Sequence, residues 1–221
     1  MKREIRFHFS RETDDLPSVP ASILIQTLES AQRAIWLIAM MKEEKTVRSR
    51  ARISDEIEQR YQLRCRIPEA GSYDLPTYVE SNAPLLPTID QVDSVLEAFE
   101  EVAKGLIGRD PAAITNQLPD SAIRRRVIGE FRRIAPKPGS GWLLDLGRNG
   151  TTVRFTDRSR NDIQKMIQSV ENEPSTETVN GRIIEVKFPE RRVTIQLLGG
   201  SSSVELTYPE DLEDALLNVA S

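Results

Sequence analysis

Arginine is concentrated in one stretch of the chain, residues 121–136, which reads SAIRRRVIGEFRRIAP and holds five arginines. Guanidinium groups bind phosphates and carboxylates through paired N–H donors, so this stretch predicts an anion-binding patch. Two further arginines lie side by side on a predicted turn near residue 190. The candidate patch for an anion or a nucleic acid comprises Arg124, Arg125, Arg126, Arg132, Arg133, Arg191 and Arg192.

The same arginines also have an intramolecular interpretation. The preceding predicted helix carries five carboxylates against the single cation Lys104, and antiparallel packing of the two helices would pair their charges along a shared apolar seam. Arg125 and Arg132 lie opposite the apolar stripe of their helix and would not reach such a neighbour. Charge pairing and a binding surface therefore both remain open. The apolar stripe consists of Ile123, Val127, Phe131 and Ile134.

The counts of reactive side chains exclude several chemistries. One histidine, His8, and one cysteine, Cys65, cannot form the usual Cys/His zinc sites or a redox pair. By alternation His8 is predicted on the polar face of a strand, and Cys65 is predicted to be buried. The chain has no phosphate loop, dinucleotide-binding motif or nucleophile elbow. We therefore predict a protein that is not an enzyme, with no catalytic residue, metal site or cofactor, although a metal enzyme that uses carboxylates alone stays open.

The longest apolar run, AIWLIAMM at residues 34–41, is a second candidate site. It continues the apolar stripe of a long predicted helix, but here the apolar character extends around the whole helix. Trp36 and Met40 lie off the main stripe and are the candidate interface residues. A helix that is apolar on all sides belongs to the centre of a domain or to a subunit interface.

Periodicity along the chain predicts the elements that position these residues. A strand, a long helix and two strands precede the acidic and arginine helices, with a loop predicted at residues 108–120. After the proline- and glycine-rich residues 136–141, Asn149-Gly150 predicts a hairpin, and three more strands follow a short helix. The predicted class is α+β. The predicted domains are an α+β helical domain at 1–135, a linker at 136–141, and a small five-stranded antiparallel barrel-like domain at 142–221.

Three short motifs resemble a group of uncharacterised bacterial proteins that join an α+β module to a small C-terminal barrel. They are I-x-x-x-G-S at residues 67–72, V-N-G-R-I-I-E-V at 179–186 and R-R-V-T-I-Q-L at 191–197. The resemblance implies this architecture and a bacterial cytoplasmic setting. It implies no activity and no functional residue.

Composition sets the functional prediction. The formal net charge of -4 and the aromatic content of 5% argue against a stacking platform for single-stranded nucleic acid. The N-terminus lacks the apolar core of a signal peptide, and no apolar run is long enough for a membrane span. We expect a non-enzymatic interaction or regulatory (adaptor or accessory) protein of the bacterial cytoplasm that acts through protein–protein contacts, without a membrane partner. The alternative is nucleic-acid binding by the arginine helix and the barrel, and a homo-oligomer is a further expectation.

Overall fold

The structure is a computed structural model that describes residues 4–11, 19–43, 52–66, 74–80, 89–171, 180–198 and 203–213. Helices and antiparallel strands make up the described part, which confirms the predicted α+β class. The chain divides into two compact units, Met1–Glu173 and Pro174–Ser221. None of the described helices is long and apolar enough to cross a membrane.

The first unit is built on a five-stranded antiparallel sheet, sheet A, with strand order β2-β3-β1-β4-β5. The central strand is β1, in which Phe7 pairs with Leu75 on one side and with Leu146 on the other. Residues of one parity are buried and those of the other are more exposed, so one face of the sheet carries the core. The strands are β1 Glu4–Arg11, β2 Gln62–Cys65, β3 Asp74–Glu80, β4 Trp142–Arg148 and β5 Thr151–Phe155.

Six helices lie in the described part of the first unit. Their apolar stripes join the buried face of sheet A in one core, in which the Phe131 ring lies 4.7 Å from the Phe99 ring and 6.3 Å from the Phe155 ring. Periodic apolar residues direct each helix onto this core. The helices are α1 Ala21–Glu43, α2 Asp55–Arg60, α3 Ile89–Gly108, α4 Pro111–Gln117, α5 Ser121–Ile134 and α6 Ser159–Glu171.

The structure divides the chain at a different place from the predicted linker. The Asn149-Gly150 hairpin forms as expected, with both residues at positive φ, but its strand β4 pairs with β1 in sheet A. Two of the five strands assigned to a C-terminal barrel therefore belong to the first unit, and the chain is divided between Glu173 and Pro174. Alternation shows that a strand has one buried face, but it does not identify the distant strand that pairs with it.

The second unit contains a three-stranded antiparallel sheet in the order β6-β7-β8, where a five-stranded barrel was predicted. A register shift between Ile183 and Glu185 breaks the expected alternation and leaves Ile184 53% exposed. In the described part of this unit the buried apolar side chains are Val193 and Tyr208. The sequence also predicts a C-terminal helix at residues 209–219, and most of this range lies outside the described residues. The strands are β6 Gly181–Lys187, β7 Arg192–Leu197 and β8 Ser203–Thr207.

The loop predicted at residues 108–120 contains helix α4, so that prediction was wrong. The Asp110 side chain accepts a hydrogen bond from the backbone N–H of Ala113, 3.0 Å away, and Pro111 occupies the first turn. Asp-Pro is typical of a turn and equally of a capped helix start. The motif at residues 67–72 lies outside the described residues.

Candidate functional site

Helix α5 presents the arginines of the candidate patch. Asp120 caps its N-terminus by accepting a hydrogen bond from the backbone N–H of Ile123, 2.8 Å away. The predicted apolar stripe is buried as expected, which fixes the rotation of the helix and leaves the arginines to the remaining surface. The structure then separates these arginines into distinct environments.

Arg124 does not belong to a surface patch. It is 3% exposed, and its Nη1 donates to the backbone oxygens of Leu118 at 2.9 Å and Pro119 at 3.3 Å. The side chain therefore holds the connection between α4 and α5. The sequence analysis assigned Arg124 to the binding patch because a helical wheel shows only residues within the helix. It cannot show that backbone carbonyl groups just before the helix accept hydrogen bonds from Arg124.

Three other arginines of α5 line a cleft of about 660 Å³ that helix α1 and residues 52–58 also line. We call this surface the arginine cleft. Its cationic residues come from three separate segments of the chain, whereas its acidic residues are two glutamates. Gly129 of α5 and Trp36 of α1 form part of its wall. The charged residues are Arg33, Arg52, Arg126, Arg132, Arg133, Glu58 and Glu130.

The positive charge of the arginine cleft is only partly compensated. Arg133 forms an ion pair with Glu130 at 3.3 Å, across one turn of α5. Within the described part of the chain, Arg33, Arg52 and Arg132 form no ion pair. Three guanidinium groups of one concave surface are therefore available to an anion.

Two buried N–H donors belong to residues of this cleft. The Nε1 atom of Trp36 and the Nε atom of Arg132 are closed to solvent, and neither has a hydrogen-bond partner among the described residues. Arg160 of α6 lies near Arg132: burial lowers the pKa of the Arg160 guanidinium, and the positive charge of Arg132 lowers it further. The surroundings of Arg132 are thus rich in donors and positive charge.

The ion pairs found for the described residues of the acidic helix α3 join it to Lys104 and Arg148. Glu100 contacts Arg148 of β4 at 3.0 Å and Lys104 at 2.8 Å, while Glu101 contacts Lys104 at 2.7 Å. The recorded pairs of α3 thus lie within the helix or with the sheet. The predicted charge pairing between α3 and α5 stays a prediction, and the Phe99 and Phe131 rings of the two helices are in contact.

The remaining candidate residues lie elsewhere. Arg191 and Arg192 belong to the second unit and are paired with Glu210 and Glu205, each at 2.9 Å. Met40 is fully buried in the core of the first unit, where it cannot contact a partner. Of the two interface candidates, only Trp36 reaches a surface, and that surface is the arginine cleft.

Sequence reasoning missed Arg33 and Arg52. Arg33 precedes the apolar run of α1, and Arg52 lies in a polar segment, so neither has a periodic relation to α5. The packing of α1 against α5 brings Arg33 to the cleft, and Arg52 reaches it from the segment just before α2. A local pattern contains no signal for such a long-range arrangement.

The titratable residues considered for catalysis are dispersed. His8 lies on the polar face of β1, as predicted, in register with Asp145, which accepts two hydrogen bonds of 2.7 Å from Arg154. Cys65 is exposed, not buried, and desolvation raises the pKa of its thiol, which disfavours the nucleophilic thiolate. Among the described residues, no three His, Cys, Asp or Glu side chains cluster as metal ligands.

Comparison with known proteins adds no relative. No protein-family model matches the chain, and no curated protein or solved structure matches it significantly. Function is therefore argued from the arginine cleft.

Proposed function

We propose that the chain is a non-enzymatic adaptor or regulatory protein whose first unit binds an acidic segment of a protein partner in the arginine cleft. One observation carries the proposal. Five arginines face two glutamates in one concave surface, and three of the arginines form no ion pair with a described residue. A concave wall that excludes water strengthens the attraction of such groups for an anion.

Arginine suits this task because its planar guanidinium donates two parallel hydrogen bonds to a carboxylate. The three segments that supply the arginines are fixed by packing, since Leu37, Ile57 and Phe131, one from each, are buried in the core. The donors are therefore partly pre-organised, which reduces the entropy lost when a partner binds.

The distribution of charge favours a protein segment over a nucleic acid. The second unit holds four basic and eight acidic residues, so the first unit holds 26 of each sign and has no net charge. Nucleic-acid binding surfaces are broadly basic, and single-strand platforms use several aromatic side chains. By contrast, the arginines of the cleft form a small positive region on a unit without net charge, and the residues that line the cleft include one aromatic side chain, Trp36.

Anisotropy titrations of a labelled oligoglutamate peptide test the proposal, with single-stranded and duplex oligonucleotides of equal charge as competitors. We expect the peptide to bind at low salt and Arg132→Gln to weaken binding about tenfold, the value of one lost charge-assisted hydrogen bond. Arg125→Gln is the matched control, because it removes the same charge from the same helix at an exposed position outside the cleft.

Two results would overturn the proposal. If oligonucleotides bind more tightly than the peptide and Arg132→Gln abolishes that binding, the partner is a nucleic acid. If no anion binds even at low salt, where electrostatic attraction is strongest, the arginine cleft is not a binding site.

A further inference from the structure

The first unit has a second concave surface, an apolar cavity of about 290 Å³ between sheet A and the ends of two helices. Residues of β1, β4, the first turns of α1 and the C-terminal end of α5 line it. It shares Arg133 with the arginine cleft and otherwise has its own described lining residues. Buried side chains form its floor, among them Phe9, Ile134, Ala135, Trp142 and Leu144.

The polar groups at the mouth of the cavity favour an anion. The backbone oxygen of Arg133 already accepts a hydrogen bond from Nε2 of Gln26 at 2.6 Å, and that of Ser140 lies 3.5 Å from Nη2 of Arg11. Lys137 is exposed at the mouth and forms no ion pair with a described residue. The described residues that line the cavity include no carboxylate. Donors are therefore available there, while these two acceptors are occupied.

Further positive charge lies beside the same mouth. The guanidinium carbon of Arg11 is 4.9 Å from the centre of the Trp142 ring, which forms part of the floor. Arg133 lines the cavity and shares its charge with Glu130 at 3.3 Å. The described surroundings of Lys137 thus add positive charge to an apolar wall, and low-dielectric walls strengthen the attraction of a cation for an anion.

We infer that this cavity binds a small amphipathic carboxylate, with the apolar body against the floor and the carboxylate at Lys137. The inference goes beyond the proposed function and does not depend on it. An apolar cavity of about 150 Å³ accommodates benzene, so 290 Å³ leaves room for an apolar body of about ten carbon atoms. Small-molecule sites commonly combine such an apolar cavity with a few polar groups that orient the ligand. One unpaired ammonium group matches a head group with a single negative charge.

Indole N–H signals in ¹⁵N-resolved NMR spectra provide a direct test. The chain has two tryptophans: Trp142 lines this cavity, and Trp36 lines the arginine cleft. Trp142→Phe assigns the two signals. Octanoate, octanol and acetate are titrated at matched ionic strength. We expect octanoate to move the Trp142 signal to saturation while the Trp36 signal stays in place, octanol to bind at least tenfold more weakly, and acetate to have no effect.

Variants connect the signal to the cavity. Lys137→Gln should weaken octanoate binding about tenfold, the value of one lost charge-assisted hydrogen bond, and should leave octanol binding unchanged. Lys165→Gln is the matched control, because it removes the same charge from an exposed position of α6 outside the cavity. Ala135→Leu should weaken both ligands at least tenfold by filling part of the floor. An otherwise unchanged amide spectrum shows that each variant is folded.

Three results would overturn the inference. Octanol that binds as tightly as octanoate, with Lys137→Gln changing neither, would show that the site does not recognise an anion. Shifts of both indole signals that never saturate would show non-specific association of an amphiphile. The absence of any Trp142 shift would show that the cavity takes no such ligand. Binding of oligoglutamate is a separate outcome, which Lys137→Gln should leave unchanged because Lys137 does not line the arginine cleft.

Discussion

Arg148 and Glu100 show how a single ion pair joins the sheet to a helix. Their side chains are 4% and 7% exposed, and the charged atoms lie 3.0 Å apart. Lys104 contacts the same carboxylate, and Asp93 lies 3.9 Å from the Arg148 guanidinium. Because both charged groups are buried, each loses its hydration and is stabilised mainly by the opposite charge.

Arg148→Met should destabilise the chain by about 3–5 kcal/mol, since it leaves the buried Glu100 carboxylate with Lys104 as its cationic partner. Urea unfolding measures the loss. The control is Arg154→Met, which breaks the exposed pair with Asp145 and should leave the unfolding midpoint close to that of the parent. Equal losses of unfolding free energy in the two variants would show that the buried Arg148–Glu100 pair stabilises the chain no more than the exposed pair does.

Glu100 should also make stability depend on pH in the acid range. Burial raises the pKa of its carboxyl group, but hydrogen bonds from Lys104 and Arg148 outweigh burial and lower the pKa below 4.5. The stabilisation is therefore complete above pH 4.5 and is lost as the pH falls towards the lower pKa of the folded state, because the unfolded chain takes up the proton first.

Glu100→Gln should consequently show a shallower fall in unfolding free energy between about pH 5 and pH 3 than the parent chain. Glu97→Gln is the control, because it removes an equivalent charge from an exposed position of the same helix. Identical pH profiles for the parent and Glu100→Gln would contradict the assigned hydrogen bonds.

At the scale of elements, two helical glycines occupy opposite environments. A Cβ atom on Gly105 of α3 would lie 2.7 Å from Cγ1 of Ile114 and 3.3 Å from the backbone oxygen of Asp110, so glycine permits the close approach of α4. Gly129 of α5 has no such neighbour within 4 Å. The first glycine serves packing, and the second leaves the arginine cleft open.

Alanine at the two positions should act in opposite directions. Gly129→Ala should raise stability by about 0.5–1 kcal/mol through helix propensity. Gly105→Ala gains the same propensity but should lower stability, because overpacking against a buried isoleucine costs about 1–3 kcal/mol. Thermal unfolding compares the pair. Stabilisation by both changes would mean that α4 moves away from α3 without cost.

The elements also show what the sequence could predict. The stripe of α5 and the Asn149-Gly150 turn were predicted correctly, because both depend on residues a few positions apart. The pairing of β4 with β1 and the meeting of Arg33 with Arg132 were not, because segments distant along the chain create them. Burial of Arg124 also escaped prediction, since its carbonyl partners lie before the helix.

At the scale of the whole molecule, the described parts of the two units differ in the size of their hydrophobic cores. The first has a continuous core that joins sheet A to its helices. The described part of the second has two buried apolar side chains, Val193 and Tyr208, for three strands. Because this described core is small and the unit is short, we expect the second unit to be at most marginally stable when it is separated from the first.

Truncation should therefore show an asymmetry. A chain of residues 1–173 should keep a dispersed amide NMR spectrum and cooperative unfolding. The fragment 174–221 should be unfolded alone, and the fragment 142–221 should be no better ordered, because its first strand has lost β1. A dispersed spectrum from 142–221 would instead support the domain boundary predicted at 136–141.

The strand order of sheet A also determines when both edges of the central strand can be paired during synthesis on the ribosome. The central strand β1 emerges early, yet Phe7 pairs with Leu75 and then with Leu146. Until β4 has left the exit tunnel, β1 keeps an unpaired edge and an apolar face, the features that promote aggregation of nascent chains. Pairing between such distant segments also slows folding. We therefore expect chaperones that bind nascent chains to raise the yield of folded protein until most of the first unit has been made.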